Sequence, residues 1–490
     1  MSTTPNPEAT RALLSLCENR ARWPSELAPD AVRKLLAEGA DVHGRGRYGS
    51  TPLHFAVLAP DSESDPRPNL DVVRVLLEAG ADPNARDDHA QTPLLRAVPS
   101  NSDERYEAHA LELIHLLRAA GARVPDDVRG RNAGAFRMGG TPRIYTELLD
   151  AGARIDVRDD EGGTPLHQTV DFWDAPLAEL LLARGADVNA LDGLGRTPLG
   201  LALRTRQERV DWGMESIHDP GLSDLNAVID VLERAGGKPR VPYAWNEADP
   251  FGPFPVDSAA LRAAVPEDGF PFEHDVESAQ EFITGLRSDG TPSRPLALLA
   301  ALRDTLGTPP RHLRLKGPLT LNGPFFHHGD LEVDGHLDIR RPFAVTGNLI
   351  VHGVLDDNGN DSPVHVLGDV RCHALFSSGD FNVKGDIHAR DIVMGYYNDH
   401  SLSADTIHAR VVISVDHDIM ADVKAEHEFG DRIRPRDGED SVAKRLRALF
   451  VPEVFREEAP GNEDEDEALY DEHDLFDRLR KGLPVFRERP

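Results

Sequence analysis

Residues 163–190 read GTPLHQTVDFWDAPLAELLLARGADVNA, and this stretch decides the architecture of the first half of the chain. Thr164 offers a side-chain oxygen to cap a helix whose first turn starts at Pro165, where the missing N–H would lack an intrahelical partner anyway. A second, amphipathic helix runs to Gly185, which can adopt the left-handed conformation that stops a helix without a Cβ clash. One unit therefore reads turn, helix, helix. Paired leucines followed by a helix-stop glycine recur at Leu35-Leu36 to Gly39, Leu76-Leu77 to Gly80, Leu116-Leu117 to Gly121, Leu148-Leu149 to Gly152 and Leu181-Leu182 to Gly185, with a looser copy ending at Gly236. These glycines lie 41, 41, 31, 33 and 51 residues apart. Thr-Pro-Leu reopens the pattern at Thr51, Thr92, Thr164 and Thr197. A period in this range marks stacked repeats.

The copies resemble ankyrin repeats over residues 30–240, preceded by an N-terminal helical cap at 1–29. Insertions extend the pattern at Pro60–Asn69, Ser100–Glu107 and Arg204–Leu225, and Thr141-Pro142 starts a second rather than a first helix. The resemblance implies an all-α solenoid, and structural, hydrogen-bonded roles for His54 and His167 in the Thr-Pro-Leu-His phrase. It also implies partner contacts at the turn tips Arg45, Tyr48, Asp88, His89, Asp160, Glu161 and Leu194. Phe172-Trp173 is placed in a first helix, where adjacent residues diverge by about 100° and one ring faces the concave surface.

Residues 241–310 are punctuated by proline and aromatics, as in Pro250-Phe251-Gly252-Pro253-Phe254-Pro255, and read as a structured helical connector. A second rhythm follows. Gly329-Asp330-Leu331, Gly347-Asn348-Leu349, Gly368-Asp369-Val370 and Gly385-Asp386-Ile387 each precede alternating apolar residues, with Asp405-Thr406-Ile407 a looser copy. The period suits one coil of a parallel β-helix. Leu331, Leu349, Val370, Ile387 and Ile407 then form one inward column, and Val333, Val351, Cys372, Ala389 and Ala409 the next. Residues 311–430 resemble the β-helical domain of bactofilins, the polymer-forming cytoskeletal proteins of bacteria. Residues 431–490 read as a helical acidic tail whose run Glu463–Glu467 repels itself and stays solvated.

Charge and composition exclude several classes. The chain holds 54 Lys plus Arg against 84 Asp plus Glu, a net −30, opposite to the sign of a nucleic-acid or anionic-membrane binder. The longest purely apolar run, Leu296 to Leu302, is far short of the ~20 residues a membrane span needs. The polar start shows no secretory pattern, and two cysteines, Cys17 and Cys372, are too few for a disulfide framework. A cytoplasmic protein is expected.

Chemistry is sought first among the histidines. Of 21, 12 lie between His312 and His427. Extending the columns outward aligns Glu332, Ile350, Arg371, His388 and His408, and beside them Asp334, His352, His373, Arg390 and Arg410. Two imidazoles leave zinc short of ligands and the neighbouring arginines repel it, so a solvated ladder is preferred over a metal site. The strip with His352, His373, Arg390 and Arg410 is instead expected to dock the acidic tail or another acidic partner. Asp87-Asp88 and Asp159-Asp160 read as solvated turn residues rather than acid–base pairs. No nucleophile elbow, zincin, Walker or dinucleotide motif occurs.

The sequence thus points to a non-catalytic protein–protein interaction protein without cofactor, catalytic residues or metal: an adaptor, or an immunity-type inhibitor of a basic partner. The first alternative is a self-assembling, bactofilin-like scaffold. The second is a metal-dependent or sugar-acting β-helix enzyme.

Overall fold

The computed structural model describes residues 5–18, 28–58, 70–98, 104–125, 141–211, 220–265, 269–287, 291–357, 359, 362–396, 400–415, 417–430, 442–455 and 472–487. The run Glu463–Glu467 and the insertion Pro60–Asn69 lie outside them, as do residues 100–103 and 212–219 of the other two insertions. The chain forms two units, Met1–Asp192 with Arg196–Val241, and Gly193–Gly195 with Pro242–Pro490.

The first unit is a stack of short helices. Among them are Pro7–Glu18, Pro29–Ala37, Pro52–Ala56, Leu70–Glu78, Pro93–Arg96, Pro142–Asp150, Pro165–Phe172, Ala175–Ala183 and Pro198–Asp211. Gly39, Gly80, Gly121, Gly152, Gly185 and Gly236 all have φ between 85° and 98°, the left-handed helix stop that a Cβ would strain. Leu53, Leu76, Leu94, Leu148, Leu166, Leu181 and Leu232 are fully buried in one continuous core. Truncating such a leucine to Ala typically costs about 2–5 kcal/mol.

The Thr-Pro-Leu-His phrase joins adjacent repeats. The Thr164 backbone N–H, at 3.2 Å, must donate to His167 Nδ1, so the ring proton sits on Nε2 and is donated to the Arg196 carbonyl at 3.0 Å. His54 repeats this with Thr51 N at 3.1 Å and the Gln91 carbonyl at 3.0 Å. Burial holds both imidazoles below their ordinary pKa, in the neutral state this bonding needs. Asp87 and Asp159 correct the expectation of solvated turn carboxylates. Asp87 is buried and accepts the His89 and Gln91 N–H groups at 2.9 Å, while half-buried Asp159 accepts those of Glu161 and Gly163 at 3.0 and 2.8 Å. Each carboxylate fastens its own turn.

The second unit contains a parallel β-solenoid with three strand columns. The first stacks Arg311–Lys316, Gly329–Asp334, Leu349–Val351, Val370–Ser377, Ile387–Tyr396, Ser401–Val415 and Asp418–Phe429. The second stacks Leu319–Leu321, Leu337–Ile339 and Val354–Asp357 and continues into the later halves of the long strands. The third stacks Phe325–His327, Phe343–Val345, Val364–Val366 and Phe381–Val383. Ser377-Ser378-Gly379-Asp380-Phe381 leads into the third column, where Phe381 pairs with Val364. The inward column Leu313, Leu331, Leu349, Val370, Ile387, Ile407 and Val423 is in register throughout.

The Gly-Asp punctuation has a physical cause. Asp330 Oδ1 accepts the Asn348 N–H at 2.7 Å, Asn348 Oδ1 the Asp369 N–H at 2.8 Å, and Asp369 Oδ1 the Asp386 N–H at 3.1 Å. Each side chain fills the space where a Cβ on Gly347, Gly368 or Gly385 of the next coil would collide with it. At a corner, fully buried Asp357 plays a similar part, accepting from Ser377 Oγ, Ser378 N and Gly379 N at 2.8, 2.6 and 2.9 Å.

Two of the three outer faces are covered. Connector helices Ser258–Ala264, Ala279–Thr284 and Ser293–Thr305 pack Phe282, Leu298 and Leu302 onto Phe326 and Ala344 of the third face. Buried His365 donates from Nε2 to the Leu286 carbonyl at 3.0 Å. Helices Val442–Leu449 and Glu472–Arg480 place Leu446, Phe450, Leu475 and Phe476 on Val354, Ala374, Ile392, Met394, Val411 and Ile413 of the second face. Arg480 pairs with Asp338 at 3.2 Å and with Asp356. The described helices of the tail are thus packed along one side of the solenoid. Among the described residues, the outer face of the first column is largely polar along its length.

Candidate functional site

In the first unit the turn tips of two successive repeats meet. Tyr48 is 52% exposed, and its backbone sits in the left-handed region, φ 53° and ψ 36°. Arg47 Nη2 donates to its hydroxyl at 2.7 Å and the guanidinium carbon lies 4.6 Å from the ring centroid. The His89 ring is 5.6 Å away, centroid to centroid. The Asp88 N–H donates to the Tyr48 carbonyl at 3.0 Å, and the Asp88 side chain lies against Gly49. Tyr48, Asp88 and His89, 40 residues apart in sequence, form one patch.

The other tips differ. The Arg45 guanidinium donates to the Gly49 carbonyl at 2.7 Å and to the Arg86 carbonyl, binding two turns together. Asp160 and Glu161 are half-buried at their own turn. Leu194, also half-buried, lies in the segment Gly193–Gly195 that belongs to the second unit. Trp173 corrects the helical placement: the helix ends at Phe172, and Trp173 is its left-handed cap at φ 53°, donating its N–H to Thr169. The 100° divergence therefore does not apply. Both rings are half-buried, and the Arg209 guanidinium lies 4.8 Å over the Trp173 ring.

On the exposed face of the solenoid, His352 Nε2 lies 2.7 Å from Glu332, which His312 approaches at 3.2 Å and Arg314 at 3.5 Å. Arg314 also grips Asp334 through two bonds of 2.9 and 2.7 Å. The His352 hydrogen bond and the guanidinium hold Glu332 below the usual carboxylate range, and Arg314 does the same for Asp334. Half-buried His373 is held below its ordinary pKa by burial and by the Arg390 charge. Buried Cys372 is pushed up to about 12, so its thiol stays protonated and inert.

The second outward column does not continue as expected. Pairing between Ile387–Tyr396 and Ser401–Val415 stops at His388 with His408 and resumes at Ile392 with Val411, one residue longer on the first strand. Arg390 and Arg410 therefore have no ladder pairing. Arg390 bonds Asp391 at 2.9 and 2.7 Å. Arg410 lies 3.8 Å over the Phe486 ring, so the tail reaches it through an aromatic rather than an acidic side chain. His388 and His408 do pair, their rings stacked 4.7 Å apart at 11°. Asp386, just before the strand, brings a carboxylate to within 4.8 Å of both, a neighbour the column reading overlooked.

An ankyrin-repeat family model matches residues 48–88 and 161–193. Among curated proteins, the ARF GTPase-activating protein Git of Drosophila melanogaster is 57% identical over 105 residues, 21% of this chain and 11% of that protein. Ankyrin repeat-containing protein P1E11.10 of Schizosaccharomyces pombe is 35% identical over 60 residues, 12% of this chain and 29% of that protein. The putative ankyrin repeat protein FPV231 of fowlpox virus is 44% identical over 59 residues, 12% of this chain and 23% of that protein. The chain spans under a third of the length of these relatives. Its first unit carries ankyrin repeats, a class of module that implies protein partners, and its second contains a parallel β-solenoid. No helix among the described residues is long and apolar enough to cross a membrane.

Proposed function

We propose that the protein is a non-catalytic adaptor that recognises a protein partner through the turn tips of its ankyrin unit, with Tyr48 as anchor. The exposure and left-handed backbone of Tyr48 carry the reading. A non-glycine residue there is sterically disfavoured, and strain of this kind collects at functional sites. The Arg47 bond and the His89 ring hold the side chain in place, so little rotamer freedom is lost on binding. Asp88, Asp160 and Glu161 extend the surface with acid, and the chain's net −30 favours a basic partner, as an immunity-type inhibitor would meet. Affinity isolation with the untagged full chain immobilised, compared with Tyr48→Ala and His89→Ala chains, tests this. A partner retained by the parent and lost by both variants supports it; identical retention by all three contradicts it.

A second reading, self-association as a bactofilin-like scaffold, is favoured by the two ends of the solenoid. Among the described residues, Arg311–Lys316 and Asp418–Phe429 each pair with a strand on one side only. Leu313 and Leu315 at one end, and Ile419, Ala421, Val423 and Ala425 at the other, are left half-buried. One strand exposes His312, Arg314 and Lys316, the other Asp422, Glu426 and Glu428. Sedimentation velocity across concentration separates the readings: a growing, salt-sensitive series of species favours the scaffold, a constant mass the adaptor.

A further inference from the structure

We propose that Asp386, His388 and His408 form a binding site for a first-row divalent transition metal, zinc or cobalt, on the exposed face of the β-solenoid. The ladder places His408 directly beside His388, and the two rings stack 4.7 Å apart at 11°, so both imidazoles present their edges along one direction. Asp386 lies one residue before the strand Ile387–Tyr396 and two before His388. Donor atoms of all three lie within 4.8 Å of one another, and all three residues are half-buried.

What distinguishes the trio is the lack of competing side-chain bonds among the described residues. Among the described residues, no hydrogen bond or ion pair reaches the side chain of Asp386, His388 or His408. Asp386 is the last step of the Asp/Asn ladder. At earlier coils the side chain accepts the next coil's N–H, but here the Asp405 N–H goes to the Gly385 carbonyl at 2.9 Å instead. The Asp386 carboxylate is thereby released toward the two imidazoles.

The cluster Glu332, Asp334 and His352 on the same face provides the contrast. It has a comparable donor set, but Arg314 and His312 already engage its carboxylates. Near the trio, Arg390 is turned to Asp391 and Arg410 to Phe486. Arg371 and Lys424 flank the pair in the ladder, with Lys424 3.6 Å from Asp422, so the site is of modest affinity. Two imidazoles and one carboxylate suit zinc or cobalt better than calcium or magnesium, and three protein ligands leave a coordination position open.

The test is a Co2+ titration of the untagged, metal-free full chain near neutral pH, followed by visible absorption and by displacement with Zn2+. The expected result is one saturable Co2+ site, displaced by Zn2+. His388→Ala and His408→Ala each weaken it about tenfold or more, Asp386→Asn weakens it less, and His352→Ala leaves it unchanged. Affinity should fall as the solution is acidified, because metal binding displaces protons from its ligands. Circular dichroism melts of the metal-free variants, expected to match the parent, show that loss of binding is not loss of fold. Absence of a saturable site overturns the proposal, as does binding indifferent to His388→Ala and His408→Ala or abolished by His352→Ala.

Discussion

Histidine is put to two opposite uses, one shown by His54 and His167 of the ankyrin unit and by buried His365 of the second unit, the other by His388 and His408. In the ankyrin unit, His54 and His167 are buried, and both ring nitrogens bond: Nδ1 receives the capping threonine's N–H and Nε2 donates to a carbonyl 29 or 37 residues on. In the solenoid, His388 and His408 stand on an outer face and stack on one another. The difference is one of supply. A buried ring must satisfy both nitrogens within the fold, which makes it a fastener, whereas a half-exposed ring can leave its nitrogens to solvent or to a ligand.

The sharpest way to break that comparison is to remove one ring of each kind. His167→Ala strands the Thr164 N–H and the Arg196 carbonyl and leaves a cavity. It should destabilise the ankyrin unit by about 3 kcal/mol in urea denaturation, whereas His388→Ala in metal-free protein should change stability by under about 0.5 kcal/mol. Equal effects would mean that burial and bonding do not separate the two kinds.

Next in size is Arg480→Ala, which removes the counter-charge from largely buried Asp356, whose pKa burial already raises. It should cost the second unit about 2 kcal/mol, less than a fully buried pair because both side chains keep some solvent contact. Unchanged thermal unfolding of that unit would show that the apolar contacts of the tail hold it alone.

The pH response of the second unit has two limbs. Burial lowers His365 from 6.5 to about 4, so its contribution is complete above 6.5 and is lost as the pH falls toward 4. Burial raises Asp357 from 3.8 to about 8, so its contribution is complete below 3.8 and is lost as the pH rises toward 8. His365→Gln should flatten the acid limb and Asp357→Asn the alkaline one, each read from unfolding midpoints against pH. A variant that leaves both limbs intact would assign them to other groups. The smallest structural effect is expected at Tyr48: Tyr48→Ala should leave the unfolding free energy within about 0.5 kcal/mol of the parent in urea denaturation.

How much of this was legible follows the same division. The ankyrin repeats could be read because capping, helix stops and histidine fastening all act within one repeat or between neighbours, so Thr164, His167 and Gly185 carry their meaning locally. The inward column from Leu331 to Ile407 was also legible, since alternation fixes it. The second and third columns were not, because most of their strands, such as Leu337–Ile339 and Phe381–Val383, are three residues long, too short for alternation to announce them. The Arg390 and Arg410 alignment failed for want of one residue: Asp391 lengthens its strand, and a single insertion shifts everything beyond it. Trp173 was misplaced because a left-handed aromatic cap has no signature comparable to glycine.

The central claim, partner recognition at the ankyrin tips, is tested most directly by hydrogen exchange of the full chain with and without the partner recovered by affinity isolation. The account predicts slowed exchange at residues 45–49 and 86–91. Protection confined to the solenoid face at 387–411, with those tips unchanged, would contradict it.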